Sequence, residues 1–179
     1  MARSSAWLVA AASLLLVASL AAQSSKYEVG RPPTPDEIRR LGSPIAPDGS
    51  GLPRGSGTAV AGRTVFAAQC ERCHGPKGEG DVGARLVGGQ GTLATSRPLR
   101  TVGSFWPHAT TLWDYINRAM PFDQPGSLSA NEVYALTAFL LAQNQIIGNN
   151  DAMNAQTLPN VKMPNVGGFD SPDPRPDVP

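Results

Sequence analysis

Cys70-Glu71-Arg72-Cys73-His74 sets two thiols and an imidazole within one short stretch of chain. These side chains can be nucleophiles, redox partners or metal ligands, and each use demands a different setting. C-x-x-C-H is the attachment spacing of a c-type haem. Each thiol forms a thioether to a vinyl group, and the adjacent His74 becomes the proximal iron ligand. The chain has 2 cysteines, so the motif uses both. A structural disulfide between them would close a short, strained loop. A redox dithiol belongs in a thioredoxin-like βαβ setting, and no such pattern surrounds this one. A zinc site calls for four ligands, and the soft or imidazole candidates are only Cys70, Cys73, His74 and His108. One covalent haem c is the reading that employs every residue of the motif.

A proximal histidine leaves a sixth iron position. Met120-Pro121-Phe122 is the leading source, because the proline ends a helix and forces a turn that can present the thioether. Met163, also followed by proline, is the runner-up, and His108 would give a bis-histidine iron instead. Methionine ligation stabilises ferrous iron and fits the His/Met pattern of electron-transfer cytochromes. An iron so filled has no open position. Electron transfer is therefore favoured over oxygen chemistry, and the chain is not expected to be catalytic alone. Arg85, Arg100 and Trp106 are candidates for contacts with haem or its propionates, although each has an ordinary surface or packing role as its plainer reading.

Three helices must hold these groups. Thr58 can cap a helix to about Gln69, with Val60, Val65 and Phe66 on a partly apolar face and Gly62 permitting close approach by a neighbour. A second helix runs from Thr110 or Thr111 to Ala119, apolar through Leu112, Trp113, Tyr115 and Ile116, and stopped by Pro121. Ser129-Ala130-Asn131-Glu132 is a capping-box pattern. It opens a third helix, with Val133, Leu136, Leu140 and Leu141 at helical spacing as far as Asn144. No alternating strand pattern of useful length appears. The predicted class is all-α, with about three main helices around the cofactor and a core domain over 58–148.

Flanking that domain are segments of different character. Residues 22–57 are rich in Pro, Gly and Ser and read as an extended arm or a disordered linker. Pro35 to Leu41 is able to form one short helical turn. Residues 149–179 form a C-terminal extension that ends Pro-rich. At the start, Arg3 and the apolar run Trp7 to Ala22 resemble a secretory signal peptide over 1–21, with Ser19 and Ala21 at the small-residue positions. The run is short beside the roughly 20 residues of a membrane span, and an uncleaved N-terminal anchor is the alternative. Export predicts a periplasmic protein, in keeping with haem attachment outside the cytoplasm. Lys+Arg number 15 and Asp+Glu 14 in the whole chain. Losing Arg3 leaves a formally neutral polypeptide, without the basic patch that nucleic acid calls for.

Beyond these local readings, C-x-x-C-H, Met120-Pro121 and the capped C-terminal helix together resemble a class I cytochrome c. Gly83-Ala84-Arg85-Leu86 resembles that family's Gly-Pro-x-Leu loop, whose proline carbonyl accepts a hydrogen bond from the proximal histidine. Ala84 stands here in place of the proline. The stretch from Thr101 to Ile116, running into Arg118-Ala119-Met120-Pro121-Phe122, is more specific. With Pro125 to Leu128, Asp151 to Phe169 and Gly51 to Gly57, it resembles the cytochrome subunit of bacterial sulfite and sulfane dehydrogenases. The resemblance implies a molybdenum-cofactor dehydrogenase as electron donor and a soluble cytochrome or oxidase as acceptor. A free periplasmic carrier serving another dehydrogenase or a terminal oxidase is the alternative. Some relatives have two haem domains, whereas this chain has one C-x-x-C-H. The resemblance also offers a use for the arms, since an extended Pro-rich segment loses little entropy when it lies on a partner.

Overall fold

The computed structural model describes residues 30–42 and 44–169. The expected signal segment 1–21 lies outside the described residues, as do 22–29 and 170–179. The chain divides after Gly42 into two units. The described part of the first holds one helix, α1 (Pro35–Leu41), where a short helical turn was expected. Thr34 and Glu37 cap it reciprocally: Glu37 N donates to Thr34 Oγ1 at 3.2 Å, and Thr34 N donates to the Glu37 carboxylate at 2.7 Å. Arg31 grips the same carboxylate with two bonds of 2.8 and 2.6 Å. Arg31 foremost, then Thr34, hold the Glu37 carboxyl down to about 2. The pairing is therefore lost only as pH falls through about 2.

In the second unit the order is β1 (Ser56–Thr58), α2 (Ala59–Gln69), α3 (Glu71–His74), α4 (Ala109–Ala119), α5 (Ala130–Gln143), β2 (Ala152–Asn154) and a 3-10 turn at Leu158–Asn160. The three main helices are those expected from the sequence. Thr58 caps α2 by accepting from Ala61 N at 3.3 Å. The capping box at the start of α5 is complete, with Ser129 and Glu132 bonding each other's backbone N–H. The second helix begins at Ala109 with His108 as its N-cap, slightly earlier than its threonines indicated.

Helix α5 is the centre of the fold. Every residue from Val133 to Leu141 is buried, because α2, α4 and the β1–β2 ladder all lie against it. The stripe Val133, Leu136, Leu140 and Leu141 is thus one part of a helix enclosed on nearly all sides. Phe66 of α2 meets Phe139 with ring centroids 4.9 Å apart, and Trp113 of α4 meets Tyr134 at 5.4 Å. Helices α2 and α4 bury narrower faces than expected: Val60 is 65% and Tyr115 48% exposed.

Gly62 makes the α2–α5 crossing possible. A Cβ there would collide with the Ala135 carbonyl and stand 2.7 Å from Phe139 Cβ. Because the first obstacle is backbone, no rotamer change relieves it. Gly62→Ala is expected to cost about 1–3 kcal/mol or more through overpacking, measured as a lower midpoint in thermal or denaturant unfolding.

A small antiparallel ladder pairs β1 with β2, Gly57 opposite Met153. No strand was expected, and three-residue strands are too short to display alternation. The ladder brings the C-terminal segment inward. Met153, Leu158 and Met163 are buried in the same cluster as α5, and Tyr134 Oη donates to Pro53 O at 2.9 Å. Residues on both flanks of 58–148 therefore share its core. No helix among the described residues is long and apolar enough to cross a membrane.

Candidate haem site

The motif occupies the junction of α2 and α3. Cys70 leaves helical geometry at ψ −35°, φ −125°, while its N–H still donates to Phe66 O at 2.8 Å. The next turn closes on its carbonyl, with Cys73 N and His74 N donating to Cys70 O at 3.1 and 3.0 Å. Thiols three residues apart on one turn lie on the same face. Both are free and half-buried. Burial, then the neighbouring Cys73, pushes the Cys70 thiol up to about 11. A redox dithiol needs the opposite shift, toward thiolate.

After Gly75 the chain doubles back over the motif. Gly80 N donates to His74 O at 2.8 Å and Gly83 N to Cys73 O at 2.7 Å. The return passes so close that a Cβ on Gly83 would sit 3.0 Å from both Nδ1 and Cε1 of His74 and 2.9 Å from Cys73 O. This close approach puts Ala84 O 2.6 Å from His74 Nδ1. A carbonyl only accepts, so Nδ1 carries a proton, and in the neutral ring this tautomer leaves the Nε2 lone pair for a metal. Ala84 thus supplies the carbonyl expected of this loop without a proline.

Met120 terminates α4. Its N–H donates to Ile116 O at 3.1 Å, and its own backbone is extended (φ −126°, ψ 148°). The side chain is half-buried at the edge of the core. Arg72 Nη2 lies 2.8 Å from Asp123 Oδ2, joining the motif to the loop that begins at Met120. Both partners are exposed, so solvent screens the pair and it adds little to stability; its value is that it marks the two segments as neighbours. Met163 is 2% and Met153 5% exposed, enclosed in the apolar cluster. His108 is at the far end of α4, about 18 Å from Met120 at 1.5 Å per residue.

The other predicted contacts are dispersed. Arg85 and Arg100 are exposed. The Arg100 guanidinium covers the Phe105 ring at 5.3 Å, and Trp106 packs edge-on to Tyr115 at 5.5 Å. No hydrogen bond or ion pair joins these three to one another among the described residues.

One buried network had no sequence signal. Asn144, expected only as the approximate end of the third helix, is 3% exposed. Its Nδ2 donates to Leu86 O at 3.2 Å and Leu140 O at 2.9 Å. Its Oδ1 accepts from Gly88 N at 2.9 Å. Thr101 Oγ1 donates to Gly88 O, and Ser104 Oγ donates to Leu99 O at 2.6 Å.

Compared with known proteins, residues 57–140 match the family described as cytochrome C oxidase, cbb3-type, subunit III. A chain in the crystal structure of the sulfane dehydrogenase SoxCD from Paracoccus pantotrophus is 40% identical, with a TM-score of 0.74 over 85% of this chain and 75% of that one. The chain belongs to the class I cytochromes c. No curated protein matches the sequence significantly. A cytochrome c domain implies haem c and an electron-transfer role. The residues of this cytochrome fit that group: two free thiols share one face, and a neighbouring imidazole is locked in the tautomer that leaves Nε2 for iron.

Proposed function

We propose that the cytochrome is a periplasmic one-haem electron relay that accepts electrons from a molybdenum-cofactor sulfite or sulfane dehydrogenase and passes them to a soluble cytochrome or oxidase. The observation carrying this reading is the 40% identity to a sulfane dehydrogenase chain over 85% of the cytochrome. Cys70 and Cys73 would hold the haem through thioethers, with His74 and Met120 as axial ligands. The bound iron supplies a one-electron change of oxidation state. Around it, the polypeptide would hold these ligands in place. Ala84 O fixes the His74 ring, α4 fixes the backbone of Met120, and the enclosed α2–α4–α5 core resists rearrangement. Such a site needs no proton transfer or open coordination position.

Sulfur chemistry then belongs to the partner. Mixed with sulfite or a sulfane donor, the isolated cytochrome should show no catalytic oxidation. The complex with its dehydrogenase should reduce the haem rapidly on addition of substrate, read by stopped-flow absorbance. Rapid turnover by the cytochrome alone overturns the relay reading. Reduction by an unrelated dehydrogenase, with no response to any molybdenum enzyme of this kind, selects the free-carrier alternative.

A further inference from the structure

We propose that Asn144 is a positioning residue for the proximal iron ligand, acting through the loop that carries Ala84. This rests on His74 as that ligand. A helix C-cap requires only backbone conformation, yet the Asn144 side chain uses both N–H donors and its carbonyl oxygen inside the protein. Its bonds reach Leu86 O and Gly88 N, while Gln90 Nε2 donates to its backbone carbonyl at 2.9 Å. Leu86 is also held by its own N–H, which donates to Gly78 O at 2.8 Å. On the other side, Gly83 N is tied to Cys73 O at 2.7 Å. Ala84 lies between these two anchored points. Nothing in its side chain restrains it, because alanine lacks the ring with which proline fixes φ. The end of α5 thereby sets the position of the carbonyl that faces His74 Nδ1.

The bond so positioned has chemical weight. A well-aligned Nδ1–H···O=C bond raises the electron donation of the ring to a metal, and ferric iron gains most. Hydrogen bonds weaken steeply as distance and angle degrade. Loosening the loop should therefore raise the reduction potential, a direction that loss of fold stability alone does not dictate.

Asn144→Ala, isolated with its haem, is expected to shift the redox equilibrium about threefold toward the ferrous form. At 59 mV per tenfold change this is about 28 mV. The His74 Nδ1–H resonance of the ferrous protein should exchange with solvent at least tenfold faster. Adding Ala84→Pro, where the N–H makes no backbone bond, should return the potential toward its original value. Leu136→Ala on the same helix should lower stability and leave the potential unchanged. Should Asn144→Ala fail to retain haem, Asn144→Asp keeps the side-chain shape, removes the amide donors to Leu86 and Leu140, and reads the same two quantities. A destabilised Asn144 variant with the original potential and exchange rate overturns this inference alone. Wild-type protein without a histidine-ligated haem overturns both the inference and the reading beneath it.

Discussion

The double variant Cys70→Ala/Cys73→Ala is expected to lose haem staining completely on a denaturing gel, with each single variant retaining reduced attachment. The two thiols occupy one turn closed on the Cys70 carbonyl, and the chain has no other cysteine to replace them. Without thioethers the haem becomes a dissociable ligand. It then stabilises the fold only with the logarithm of its free concentration over its dissociation constant. The expected loss is about 3 kcal/mol or more, roughly 10 °C in unfolding midpoint for a domain of this size. The α2–α5 contact, with Phe66 against Phe139, does not depend on the thiols. The variant should accordingly keep helical circular dichroism at low temperature. Full covalent haem in the double variant would refute the attachment assignment.

What the sequence made legible was local. Thr58 and the Ser129–Glu132 box act within one helical turn, and the C-x-x-C-H spacing is itself the chemistry, so each could be read without knowing the fold. Interactions that close across long separations were not legible. Gly57 pairs with Met153, Arg72 with Asp123 and Asn144 with Leu86, and none leaves a pattern at either end. The C-terminal segment was misleading in a different way. Its asparagines, prolines and glycines indicate irregular chain, which it is, while Met153, Leu158 and Met163 enter the core singly. Such anchors have no periodicity to detect. Helix α5 was recognised from one apolar stripe, but Thr137 and the alanines that complete its enclosure are uninformative until their neighbours are known.

That enclosure separates the methionines and leads to the second large expected effect. Met120→Ala should abolish the weak near-infrared band of a ferric methionine–haem bond and lower the reduction potential. The fall should be on the order of 100 mV, a modest part of the roughly 0.8 V over which axial ligands tune haem. It follows from loss of the thioether that favours ferrous iron. An opened position should also let the ferrous protein bind carbon monoxide. Met120 is suited to this role because it is half-buried at the core edge and its loop is tied by Asp123 to Arg72 of the haem motif. Met163 has the opposite environment, 2% exposed among apolar side chains. Met163→Ala should therefore act as a core truncation, costing about 2–5 kcal/mol of stability, with band and potential retained. His108, at the other end of α4, should be replaceable without change in either. The two methionine variants thus exchange signatures, one spectroscopic and one thermodynamic. If Met163→Ala erased the band while Met120→Ala preserved it, the axial ligand would have to be supplied by the C-terminal segment.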